Sequence, residues 1–143
     1  MLYLAAFTSA VHVIALGIGL PAIAARWRAF ARGDLQAALF ADNWWGVAGL
    51  LWLASGLARA FGGLEKGSQW YLSSPAFHLK MGVYLLATLL ELWPMIVLIT
   101  WRIRKEQTGD PQKMKHFARI SAVQLGLVLL LPFIAAAMAR GVR

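Results

Sequence analysis

"LYLAAFTSAVHVIALGIGLPAIAA", Leu2–Ala25, contains no Asp, Glu, Lys or Arg in 24 consecutive residues. A helix that crosses a bilayer needs about 20 such residues. The pattern recurs along the chain. Ile120–Ala139 is uncharged for 20 residues, and Met81–Trp101 is broken only by Glu91. Asn43–Ala58 is shorter, and Arg59 at its end can extend it by snorkelling, its apolar stem in lipid and its charge at the interface. The composition agrees: 143 residues, 60% hydrophobic, 14% charged, mean hydropathy +0.63. A soluble domain of this size has too much surface for its volume to hide that much apolar area. The sequence therefore predicts an all-α integral membrane four-helix bundle. One transmembrane domain covers residues 1–143, with helices at about 2–27, 43–62, 75–103 and 114–139. Residues 34–42 either form a short interfacial helix or extend the second helix.

The net charge is +8 and there is no cysteine. Without thiols there are no disulfides and no thiolate metal sites. In a chain of this hydropathy the positive charge points to loops and anionic lipid headgroups. No basic stripe with interleaved aromatics stands apart from the spans, so nucleic acid is set aside. The first span differs from a cleaved signal peptide: it is too long for one, and its basic flank (Arg26, Arg28, Arg32) follows it. Arg26, Arg28, Arg32, Arg102, Arg104, Lys105, Lys113, Lys115 and Arg119 lie on one side, nine bases. Arg59, Lys66, Lys80, Arg140 and Arg143 lie on the other, five. By the positive-inside bias, both termini are outside and the protein is multi-pass. Ser74 is a natural N-cap with Pro75 at the first helical position, and Thr108-Gly109-Asp110-Pro111 reads as a turn.

Helix one carries a seam at steps of 3 and 4: Ala5, Thr8, His12, Ala15, Gly19, Ala22. All but His12 are small, which lets helices approach closely in lipid. That places His12 toward a neighbouring helix. In helix two, Asp42, Gly49, Gly56 and Gly63 fall seven apart. In helix three, Glu91 lies about 20° round from Lys80 at 100° per residue, with Tyr84 and Thr88 beside them. These four form one polar stripe, and His78 lies about 160° away from it. A charge exposed at mid-bilayer costs about 2.5 to 3.5 kcal/mol on insertion scales, so Glu91 should face inward and be protonated or paired. Pro94 frees the carbonyl of Leu90, an acceptor that a protonated Glu91 could use. Plain structural readings stand beside each: a snorkelling Lys80, and a His12 bonded to Thr8 or to a neighbouring backbone.

"ADNWWGVAGLLWLASGLARAFGG" (41–63), then "EKG" (65–67), "YL" (71–72) and "SPAFHLKM" (74–81), resembles a small bacterial membrane family labelled domain of unknown function 2214. The resemblance continues to "LLPFIAAAMARG" (130–141). It singles out Asp42, Trp45, Gly46, Arg59, Lys66, Gly67, Tyr71, Pro75 and Lys80. Ser73-Ser74 departs from a His-Asn pair before the proline. "SAVHVI" (9–14) and "FHLK" (77–80) are similar to stretches of the HemJ-type protoporphyrinogen oxidases, four-helix membrane proteins that bind haem b. The copper-resistance protein CopD has a similar helical core. This likeness implies His12 as a haem or metal ligand or a redox-site residue, and a requirement for Lys80; the resemblance to the bacterial family implies a location in the bacterial inner membrane.

A haem needs an axial imidazole, an apolar slot and cations for its propionates. On that reading His12, Arg59, Lys80, Trp45 and Tyr71 are cofactor-binding residues. Lys80, Tyr84 and Glu91 are the catalytic stripe that carries protons, and porphyrin and quinone are the partners within the bilayer. His78 lies about 10 Å nearer the outer surface than His12, so a single protein ligand is expected. Two other readings remain open. One is a proton or metal-ion transporter element, motivated by His12 and Glu91 as intramembrane ionisable groups. The other is an assembly subunit without chemistry, suggested by the close-packing glycines and the small chain, with a homo-oligomer among its partners.

Overall fold

The computed structural model describes residues 1–63 and 68–141. Glu65, Lys66, Gly67 and Arg143, named from the sequence, lie outside the described residues. The described chain is all-helical and has five helices, one more than expected: α1 Leu2–Ala31, α2 Leu35–Phe61, α3 Ser68–Leu72, α4 Pro75–Ile103 and α5 Pro111–Ala139. The addition is α3, a five-residue helix in the stretch read as a loop. By length and composition α1, α4 and α5 can each cross a membrane. The fourth expected span, α2, is not among them. Its three tryptophans, three glycines, Asp42, Asn43 and Arg59 dilute its apolar content.

The helix ends are set by local chemistry. Gly33 takes φ +70, the left-handed conformation open to glycine, and lets Asp34 N donate to Ala29 O and Gly33 N to Phe30 O. Asp34 then caps α2 by accepting from Ala37 N at 3.0 Å. Residues 34–42 thus extend the second helix. Ser74 accepts from Phe77 N at 3.3 Å, with Pro75 opening α4 as expected. The turn signal at 108–111 is itself a helix start: Asp110 caps α5 and Pro111 is its first residue, three positions before the expected one. Gly109 lies so close to Trp101 and Met114 that an added Cβ would sit 2.8 Å from Met114 Sδ.

The four long helices alternate in direction. α1 packs on α2 and α5, and α5 on α4, while side chains close the gap between α2 and α4. Phe30, Leu35, Leu98, Trp101, Met114 and Phe117 form a core at the end with the short connections. Ala60, Tyr71, Phe77 and Met138 form a second core at the opposite end. The small-residue seam of α1 points inward, with Thr8, Ala15, Gly19 and Ala22 buried and His12 half-buried.

Elsewhere the usual order is inverted. Leu50, Leu85, Ile96 and Phe133 are exposed, while Arg26, Ser121, Gln124 and Ser55 are buried. Large apolar side chains outside and satisfied polar groups inside suit a surround of acyl chains, where a polar side chain needs a protein partner.

Candidate functional site

Two polar sites lie between the helices, and the residues expected to form one site are divided between them. The first is a cavity of about 150 Å³ at the end where α2 finishes and α4 begins. His12 of α1 borders it, and Gly56 of α2 makes room for the imidazole: a Cβ there would be 3.3 Å from His12 Cε1. Trp52 Nε1 donates to His12 Nε2 at 2.6 Å. Because an indole nitrogen only donates, His12 Nε2 is the acceptor and Nδ1 carries the proton. Nδ1 faces Ser55 Oγ at 2.9 Å, and that hydroxyl in turn donates to Leu51 O at 2.7 Å. Tyr84 of α4 stands edge-on to Trp52 and donates to Gly49 O at 3.3 Å. Arg59, Lys80, Tyr71, Trp70 and Phe77 complete the polar and aromatic lining. Among the described residues that line the cavity there is no Asp or Glu.

The second site surrounds Arg26. The sequence placed this residue in the basic flank after the first span. The structure buries it completely, at 0% exposure. A guanidinium has five N–H donors, and all five are used. Nε donates to Ser121 Oγ at 3.1 Å. Nη1 donates to Asp42 Oδ1 and to Glu91 Oε1, both at 2.7 Å. Nη2 donates to Glu91 Oε2 at 2.8 Å and to Gln124 Oε1 at 2.6 Å. Rings of Phe30 and Trp45 lie within 6 Å of the charge, at 5.9 and 5.8 Å. Glu91 accepts two further bonds, from Trp45 Nε1 at 3.2 Å and Gln124 Nε2 at 2.8 Å. Asp42 passes the pairing on through Oδ2 to Arg102, 3.1 Å away and a third exposed. Charges thus alternate from Glu91 to Arg26, Asp42 and Arg102 across α4, α1 and α2, and the neutral Ser121 and Gln124 tie α5 to them. Among the described residues, no buried side-chain nitrogen or oxygen lacks a partner.

Several expectations change accordingly. Glu91 is paired, and its partner is Arg26 rather than the carbonyl freed by Pro94. The stripe on α4 is divided between two places. Lys80 and Tyr84 line the cavity, Thr88 is exposed and donates to Tyr84 O on its own helix, and Glu91 belongs to the Arg26 cluster. From Lys80 to Glu91 is about 16 Å along the helix, longer than one site. His12, Arg59, Lys80 and Tyr71 do meet, but Trp45 lies with Arg26. His78 is exposed and bonds Leu72 O, away from both sites.

The residues present do not fit a haem. Both imidazole nitrogens of His12 are engaged within the protein. A cavity of about 150 Å³ takes a guest the size of benzene, whereas larger ligands occupy about 300 to 1,000 Å³. His12 also has no companion ligands for a metal: among the described residues, no group of three or more His, Cys, Asp or Glu is placed to hold one.

A profile of the family described as "Predicted membrane protein (DUF2214)" matches residues 4–143. No curated protein and no solved structure matches the chain.

Proposed function

Since the chain belongs to this family of membrane proteins, we propose that it is a multi-pass protein of the bacterial inner membrane that binds a single-ring, oxygen-headed amphiphile of the quinone kind. One observation carries this reading: the cavity beside His12 is ring-sized, aromatic-walled and supplied with donors. Lys80 and Arg59 offer N–H donors only, and Tyr84 a phenol. Such a lining suits carbonyl oxygens on a flat ring, with an apolar tail leaving toward lipid. The chain acts as one transmembrane domain, a bundle of four long helices with α3 as a cover over the cavity.

The orientation follows from the bases. With Arg26 withdrawn into the interior, nine on the side of the short connections become eight, against five on the other. The bias still puts the connections at 32–34 and 104–110 in the cytoplasm, and the cavity toward the outer leaflet. The Arg26 cluster serves as an anchor that keeps the helices in register around the cavity. Glu91 accepts four bonds from fixed donors, an arrangement suited to holding a carboxylate in place rather than passing protons.

Trp52 and Trp70 report on the cavity directly. Titration of the detergent-purified protein with a short-tailed benzoquinone should quench tryptophan fluorescence to saturation. Losing a charge-assisted bond in Lys80→Ala should weaken binding about tenfold or more. Ala135→Phe, which fills the cavity from an apolar lining position, should abolish it. Linear, unsaturated quenching that is identical in all three proteins would refute the proposal.

A further inference from the structure

A groove of about 750 Å³ runs between α1 and α2 on the outer surface of the molecule, toward the end with the short connections. Its floor is small and apolar, with Pro21 and Ala25 of α1 facing Ala41 of α2. Trp44 and Phe40 stand along its rim and are exposed. At one end lie Arg28 and Arg32, four residues apart and thus on one face of α1 about 6 Å apart. Both are exposed, and no acidic side chain lines the groove among the described residues. The nearby carboxylate of Asp34 is turned back on its own helix as the cap of α2.

The chemistry is graded along the groove, cationic at one end and apolar for the rest. We propose that it holds one anionic phospholipid of the inner leaflet, with the phosphate between Arg28 and Arg32 and an acyl chain laid along the floor. Basic pockets between membrane helices on the cytoplasmic side recognise anionic headgroups in this way. Arginine suits the task because its planar fork matches two phosphate oxygens at once. Trp44 stands beside the groove, and a tryptophan favours the boundary between headgroup and chain. The site is separate from the cavity beside His12, so either can fail alone.

The test uses the full chain in a neutral detergent, with phosphatidylglycerol or phosphatidylcholine added in mixed micelles. Native mass spectrometry counts retained lipids, and thermal denaturation gives the midpoint shift. Phosphatidylglycerol should be retained as a single adduct and raise the midpoint, with phosphatidylcholine doing neither. Arg28→Gln/Arg32→Gln should weaken phosphatidylglycerol binding about 30-fold, from roughly 1 kcal/mol for each arginine. Both residues are exposed, so the variant should fold. Lys113→Gln/Lys115→Gln removes the same charge from the same end and should retain the adduct. Free glycerophosphate, which has a headgroup but no chains, should give no shift. Equal retention of the two lipids, an unchanged adduct in the arginine variant, equal loss in the lysine variant, or a full shift with glycerophosphate would each overturn the proposal.

Discussion

Arg26 and Glu91, 65 positions apart, meet as a two-pronged ion pair between α1 and α4, with Nη1–Oε1 at 2.7 Å and Nη2–Oε2 at 2.8 Å. Neither charge could lie in this interior alone. Their attraction offsets part of the desolvation cost of both, and the remaining donors and lone pairs go to Asp42, Ser121, Gln124 and Trp45.

Breaking the pair from one side should therefore harm more than removing it whole. Arg26→Met leaves the part-buried Glu91 carboxylate without its cation, held only by Trp45 and Gln124, and should cost about 3 kcal/mol of stability. Adding Glu91→Leu should recover part of that loss. Unfolding in detergent of Arg26→Met, Glu91→Leu and the double variant, compared with wild type as a double-mutant cycle, checks the sign. Additive losses would mean that the pair carries no coupling.

The imidazole of His12 is held in one tautomer by Trp52 and Ser55. Wild-type protein produced with ample haem should show no Soret band, because the nitrogen that would bind iron already accepts from the indole. Absorption spectra of wild type and Trp52→Phe settle the matter. A reduced-minus-oxidised haem signal in the wild type would contradict this geometry.

Gly109 sits where a side chain has no room, 2.8 Å from Met114 Sδ and 3.0 Å from the Trp101 ring at its would-be Cβ. Gly109→Ala should destabilise by about 1 to 3 kcal/mol through forced repacking. Gly46→Ala, where the added Cβ meets nothing within 4 Å, should be neutral or mildly stabilising in its helix. Melting temperatures of the two variants make the comparison.

The chain has no native cysteine, so single cysteines can report its orientation. Gln107→Cys, in the connection before α5, should react with an impermeant maleimide only in inside-out vesicles. Arg140→Cys, at the end of α5, should react in intact spheroplasts. The opposite pattern would invert the assignment and place the cavity in the inner leaflet.

Local features could be read from the sequence because their causes are local. Ser74-Pro75 starts α4 whatever surrounds it, since a cap needs only the next three residues. The seam of α1 turned inward because small residues at steps of 3 and 4 define one face. That seam held more than was taken from it. Four residues beyond Ala22 comes Arg26, and three beyond that Ala29, both buried. Continuing the same arithmetic would have moved Arg26 from the basic flank to the interior. Its position next to Arg28, in a run that looks like an ordinary positive-inside signal, concealed it.

The sequence by itself determined that long apolar helices would seek lipid, and that His12 and Glu91 would turn away from it. Helical periodicity and the cost of an exposed charge suffice for both. Only the tertiary structure decided that the two residues serve different sites, His12 with Trp52 and Glu91 with Arg26. Partnership across helices depends on their relative rotation and register, which arise from the packing of all four long helices at once. No spacing within one segment carries that information.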